Sequence, residues 1–322
     1  MTKLELPKNS LLFAPMEGIT DALYREIMAE LYPEWDRFCC DFLRVPSAGV
    51  GLYPKKHVLS HYGREIWRDP DLRKKTTYQI LAPHGSEIVP TLETLKELEF
   101  HWVDLNLGCP SKTVCKHFGG SYLLNEIDKL TDVIQLIREN WSETFTVKMR
   151  VGYKDDVNFY KALEAMEKTK VDAIIIHGRT RDQLYKGRSN WDYIKDAVEF
   201  VGHTPIIGNG DIWTTEDIHA FFDYTKCHSI MLARSAIKTP WLARLYKSGH
   251  TDSLELRSLE IKRYLSRYYQ DLIDKKQSPA PIALKRLKAV SRYLFDDYKN
   301  GEVLKRGFMR SKTIDEAFAV LD

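Results

Sequence analysis

Cys109 lies in the stretch DLNLGCPSKTVCKHFGGS (residues 104–121), next to Pro110, three positions after Asn106 and three before Lys112. Phe100, Trp102, Val103 and Leu105 bring an apolar segment up to it, and residues 122–141 have helical spacing. The thiol therefore falls on a strand-to-helix connection, where α/β enzymes carry reactive groups. A cysteine there can be an acid, a nucleophile or a small buried filler, and its type alone does not choose. Other groups with chemical capacity occupy the same kind of place. Gln79, Asn106, Lys148 with Arg150, His177 with Arg179, Asn209 and Arg234 each end or follow a short apolar run. A lysine inside FTVKMRV gains nothing from water, so Lys148 is expected to face an anionic or electron-rich group. A single histidine after AIII would ordinarily be a satisfied core side chain; the repetition of polar strand ends makes His177 a site candidate. The run IGNGD (residues 207–211) supplies Gly208 and Gly210 around Asn209, with Asp211 after them, and glycines let backbone N–H groups approach an anion. Arg234 and Ser235 add a charge and a hydroxyl.

Eight short apolar strands must position these groups, near residues 10–14, 37–45, 76–81, 100–106, 144–151, 171–177, 204–208 and 228–233, with helical stretches between them. Such alternation favours a closed (β/α)8 TIM barrel, an α/β fold, over an open doubly wound sheet. In a barrel the C-terminal strand ends converge on one face, and phosphate commonly binds after the last two strands. Neither a P-loop nor a dinucleotide fingerprint is present, which disfavours an ATPase or a Rossmann dehydrogenase. Flavin mononucleotide (FMN) and a sugar phosphate both suit the pattern. Residues 50–70 read as a long loop on the active face, and residues 239–249 as a helix opened by Thr239 and Pro240 and closed by Gly249. From residue 254 onward the apolar spacing is helical only, and a capping box at Thr313 and Glu316 starts a last helix. Residues 1–248 are thus expected to form the barrel, and residues 249–322 a small all-helical domain.

Composition narrows the class. Hydrophobic residues at 43% and charged residues at 29% of 322 are ordinary for a globular protein. Five irregularly spaced cysteines without a CxxC pair give no disulfide framework and no metal site, and point to a reducing, cytoplasmic setting. No signal-like segment opens the chain and no apolar run approaches ~18 residues, so no membrane association is expected. The net charge is only +3, but between residues 282 and 312 there are 9 Lys/Arg against 3 Asp/Glu, including Lys285, Arg286 and Arg292. A local surplus of this kind can grip a polyanion even when the whole chain is nearly neutral.

Five segments carry a resemblance: APMEGITD (residues 14–21), VDLNLGCPSKTV (103–114), VKMRVG (147–152), IIIHGRTRDQLYKG (174–187) and IIGNGDI (206–212). Over essentially its whole length the chain resembles the tRNA-dihydrouridine synthases. The resemblance implies an FMN-containing barrel, a helical tRNA-binding domain and NADPH-dependent reduction of the uridine C5–C6 bond. By the same likeness Cys109 is the catalytic proton donor to C5. Ala14, Pro15, Met16, Gln79, Lys148, His177, Asn209, Gly210, Asp211, Ala233 and Arg234 match cofactor-binding positions. Asn106, Lys112, Arg150 and Arg179 match positions near flavin or substrate, and Lys285, Arg286 and Arg292 fall on the expected tRNA surface. SKTV after the cysteine and ALKRLKAVSRYL (residues 283–294) look most like the bacterial subgroup acting on uridine 16, and a monomer is expected. Two features depart from the family pattern: the bulky loop of residues 115–121, and Ala233 where a glycine commonly precedes the arginine. Two other readings of the residues are a flavin barrel reducing a small enone-like metabolite, against which the basic C-terminal segment argues, and a Schiff-base lyase using Lys148.

Overall fold

Period-two patterning divides each apolar run between two environments, and this explains both the barrel and its polar mouth. The computed structural model describes residues 4–111, 114, 118–298 and 300–321. Its strands are β1 (Leu11–Phe13), β2 (Arg37–Cys39), β3 (Leu43–Arg44), β4 (Thr76–Leu81), β5 (Trp102–Leu107), β6 (Thr144–Gly152), β7 (Ala173–Thr180), β8 (Ile206–Asn209) and β9 (Ser229–Leu232). All pair in parallel, and β1 joins both β2 and β9. β2 and β3 both pair with β4, so they are two pieces of one barrel position. The result is the expected closed, eight-position TIM barrel. Along β6, Phe145, Val147 and Met149 point into the layer shared with the helices, whereas Thr146, Lys148 and Arg150 occupy the alternate positions facing the barrel interior. The lower interior is apolar, filled by Leu12, Trp102, Ala173, Ile175, Ile207 and Met231. The Arg37 guanidinium lies 3.9 Å over the Trp102 ring. Gly208 is required where the helix Thr215–Thr225 crosses β8, because a Cβ there would sit 2.2 Å from the Phe221 ring.

Four local expectations are corrected. Residues 50–70 are not one long loop: Lys55–Tyr62, Arg64–Arg68 and a helix starting at Pro70 break it up. Only Val58 and Tyr62 of the first of these are buried, too few to produce a periodic apolar signal. Residues 122–141 form a 3-10 turn, Gly120–Asn125, followed by the helix Ile127–Asn140. The helix expected from Thr239 begins only at Leu242, ending at Ser248 with Gly249 left-handed at φ 70° as its cap. At the last helix, Ile314–Ala319, Thr313 caps the N–H of Glu316, but the Glu316 carboxylate returns to the N–H of Lys312 rather than to that of Thr313.

The C-terminal segment is helical, comprising Leu254–Asp274, Ala280–Val290, Gly301–Arg310 and Ile314–Ala319. It packs on the barrel helix Ala22–Leu31 through Tyr24, Tyr264 and Tyr268, whose ring centroids lie 6.0–6.2 Å apart. One apolar core continues across this contact. Among the described residues no helix is long and apolar enough to cross a membrane.

Candidate active site

At the C-terminal mouth of the barrel lies a cavity of about 480 Å³. Strand register explains who meets there. Asn106 pairs with Lys148, Arg150 with His177, His177 with Asn209, and Asn209 with Met231, so the inward side chains of five neighbouring strands form rows across the mouth. Ala14, Pro15, Met16, Gln79, Asn106, Cys109, Lys148, Arg150 and His177 line it, as do Asn209, Gly210, Asp211, Ala233 and Arg234.

A buried chain of hydrogen bonds fixes one wall. Asp104 accepts from Thr146 Oγ1 at 2.7 Å and from Gln79 Nε2 at 2.7 Å; Gln79 Oε1 accepts from Asn106 Nδ2 at 2.7 Å. Asn106 Oδ1 then accepts the N–H groups of Gly108 at 3.0 Å and Cys109 at 2.9 Å. Each amide orientation is thereby set by the next group in the chain. Burial raises Asp104 to about 6 despite bonds that favour its ionised form. Cys109 itself packs with Leu81 and Val114, and its carbonyl accepts from Ser121 Oγ at 2.8 Å. The thiol is thus carried on a backbone anchored on both sides.

The opposite chemistry is cationic. Arg150 donates to the carbonyls of Gly108, Thr180 and Leu184 at 2.9–3.0 Å. Lys148 Nζ reaches Asn209 Oδ1 at 3.5 Å, and Asn209 is oriented by donating to Met231 O at 2.7 Å. His177 is held well below its usual range, first by burial and then by the cations of Arg150, Lys148, Arg179 and Arg234, so it is neutral. Its Nε2 lies 3.2 Å from Arg179 Nη1; an arginine only donates, so the imidazole proton resides on Nδ1. Burial, reinforced by Arg150, lowers Lys148 to about 8. Between there and the ordinary lysine value of 10.5 the unfolded chain binds more protons than the folded one, so stability rises with pH across that window. Lys148→Met should remove this rise, on the order of 3 kcal/mol in total, from denaturation profiles of the ligand-free protein; superimposable pH profiles would contradict it.

At the glycine turn, Gly210 has φ 127° and a Cβ there would fall 2.2 Å from Ser189 Oγ, so only glycine closes it. Asp211, expected to touch a cofactor, gives one oxygen to Arg234 Nη2 at 2.8 Å and the other to Arg179 Nη2 at 2.5 Å and Ser189 N at 2.8 Å. A carboxylate cannot itself receive a phosphate; it acts through the arginines it holds. Arg234 is bracketed by Tyr185 at 4.8 Å and Trp213 at 5.0 Å, and its other N–H groups have no hydrogen-bond partner among the described residues. Ala233, at φ −113°, precedes it outside the left-handed region that favours glycine.

The remaining predicted residues fall in different places. Arg179 does not reach the cavity: it is 1% exposed and bonded to His177, Gly187 O and Asp211. Lys285 and Arg292 are exposed and outside the cavity, with Arg292 5.8 Å over the Tyr293 ring. Arg286 bonds within the protein, to Tyr268, Gly18 O, Ile19 O and Asp21. Lys112 and Cys115 lie outside the described residues. Sequence reasoning gave no role to Asp104, Tyr185, Trp213 or Tyr293; the last three line the cavity or bracket its arginine from loops and from the C-terminal segment. Tyr185 and Tyr293 sit within segments that carry the resemblance, and Trp213 directly follows one.

A TIM barrel whose mouth gathers a thiol, fixed amides and a glycine–arginine anion turn defines a barrel enzyme that handles a phosphorylated ligand. The family described as dihydrouridine synthase (Dus) matches residues 12–322, and the chain belongs to it. It is 30% identical over 315 residues to tRNA-dihydrouridine(16) synthase of Shewanella oneidensis, covering 97% of this chain and 96% of that one. It is 29% identical over 292 residues to the tRNA-dihydrouridine(16) synthase of Haemophilus influenzae, covering 89% and 91%. The tRNA-dihydrouridine synthase B of Pasteurella multocida is 31% identical over 248 residues, covering 75% and 70%. Among solved structures, a 2-naphthoyl-CoA reductase complex superposes with a TM-score of 0.56 at 11% identity, over 78% of this chain and 51% of that one, a likeness of fold.

Proposed function

We propose that the chain reduces the C5–C6 bond of uridine 16 in the tRNA D-loop, with FMN in the barrel mouth and NADPH as electron donor. The observation that carries this reading is one cavity holding an anchored Cys109, the fixed amides of Gln79 and Asn106, and the cations Lys148, Arg150 and Arg234. Its volume of about 480 Å³ lies within the ~300–1,000 Å³ of small-molecule sites. The residues fit FMN: Arg234 and the Gly210 turn would hold the phosphate, and Gln79, Lys148 and His177 the ring and its polar edge. Bound and reduced, FMN supplies the hydride.

The chain's own groups do the rest. Asn106 and Arg150 would direct N–H donors at the uracil carbonyls, stabilising negative charge as it develops. Cys109 would deliver a proton to C5 from its thiol. A uridine in the folded tRNA must be drawn out of its stack to reach the cavity, which requires a grip on the surrounding backbone. Residues 249–322 would supply that grip as an RNA-binding unit beside the catalytic barrel of residues 1–248, with Lys285 and Arg292 toward phosphates and Tyr293 at the cavity rim. In a strain lacking the gene, mass spectrometry of tRNA should show uridine instead of dihydrouridine at position 16. Loss at position 17, 20 or 20a with position 16 intact would refute the positional assignment.

A further inference from the structure

The basic C-terminal segment contains one arginine that does not behave as a surface cation. Arg286, on the helix Ala280–Val290, reaches across to the loop after β1 and is only 22% exposed. Its Nε donates to Tyr268 Oη at 3.0 Å, Nη1 to Gly18 O at 2.5 Å, and Nη2 to Ile19 O at 2.8 Å and Asp21 Oδ2 at 2.7 Å. An arginine has five N–H donors, so little of this one is left for a phosphate. Asp21 divides its carboxylate, one oxygen capping the helix Ala22–Leu31 through Tyr24 N at 2.9 Å and the other meeting Arg286. The loop so gripped is the one that brings Ala14, Pro15, Met16 and Ile19 to the cavity. Within it, Thr20 Oγ1 accepts from Met16 N at 2.8 Å and donates to Met16 O at 3.1 Å. From the barrel side, Arg25 Nη1 holds Thr20 O at 2.5 Å. Two arginines therefore pin the loop, one from each part of the molecule. Tyr293, seven residues beyond Arg286, adds a side chain from the same C-terminal part to the cavity wall.

We propose that Arg286 is a positioning residue: it ties the C-terminal helices to the cavity loop of residues 15–20, so that the part of the chain that docks RNA also sets the shape of the cofactor site. This inference rests on the flavin reading given above. It makes the C-terminal helices a structural component of the active site, and not only a handle for tRNA. A guanidinium is needed because it spans two carbonyls and a carboxylate at once, which an ammonium cannot do.

The discriminating variants are Arg286→Lys, which keeps the positive charge and loses the fork, and Asp21→Asn, which keeps a good helix cap and loses the ion pair. In the full-length chain each should raise the FMN dissociation constant by about tenfold, the scale of losing charge-assisted hydrogen bonds. Each should also alter the visible circular dichroism of the bound flavin and speed hydrogen exchange at the amides of Ile19 and Thr20. The double variant should be little worse than either single one. The salt dependence of tRNA binding should stay as in the wild type. Unchanged FMN affinity and amide exchange, with a log–log salt slope reduced by about 0.7–0.9 in Arg286→Ala, would overturn the proposal and make Arg286 a phosphate contact. A wild-type protein that binds no FMN would refute the flavin reading, while the exchange rates would still decide whether Arg286 anchors the loop.

Discussion

A Cys109→Ala enzyme is expected to retain its flavin, to be reduced by NADPH at the normal rate, and to form dihydrouridine at least about a hundredfold more slowly. A proton donor to C5 would act after cofactor binding and after the reductive half-reaction, so its loss should be confined to the second half. The geometry supports this separation. Cys109 is anchored through its backbone N–H to Asn106 and its carbonyl to Ser121, neither of which depends on the thiol. Removing a single sulfur from beside Leu81 and Val114 leaves both anchors in place. Stopped-flow absorbance of the flavin follows each half-reaction separately. Near-normal oxidation of the reduced enzyme by tRNA would show that another group supplies the proton.

Arg234→Ala should have the next largest effect, weakening FMN by about 2–3 kcal/mol, roughly 30- to 150-fold in dissociation constant. Asp211 holds Arg234 from one side while Tyr185 and Trp213 bracket it, so the guanidinium is preset for an anion and loses little freedom on binding. Asp211 would remain paired with Arg179 in the variant, so no buried carboxylate is left bare and the fold should survive. Fluorescence titration measures the constant. An unchanged value would mean that the phosphate sits elsewhere in the mouth.

The barrel was legible because eight short apolar runs alternate with helical stretches and most of them end in, or are followed by, a polar residue. The inward row Arg150, His177 and Asn209 could be read this way because period two is fixed by the backbone itself. The break between β2 and β3 was not legible, since residues 37–45 alternate only roughly and both pieces use the same neighbour. Depth along an inward row was also hidden. Arg179 shares a strand face with His177, but only its three partners hold it out of the cavity. The partners of Arg286 were hidden for a related reason. A basic residue on an amphipathic helix looks the same in sequence whether it meets a phosphate or a carbonyl, and the partner lies 268 residues away in the chain. The aromatic groups Tyr185, Trp213 and Tyr293 reach the mouth from loops and from the C-terminal part, where no periodicity exists to announce them.

The central claim is that this chain reduces a D-loop uridine through a flavin held in the barrel mouth. Its most direct test is to incubate the purified, flavin-loaded protein with NADPH and tRNA taken from cells unable to make dihydrouridine. Nuclease digestion and mass spectrometry then locate each reduced base. Dihydrouridine should appear at position 16, and only when NADPH is present. Full consumption of NADPH with FMN bound, but no reduced base anywhere in the tRNA, would contradict it.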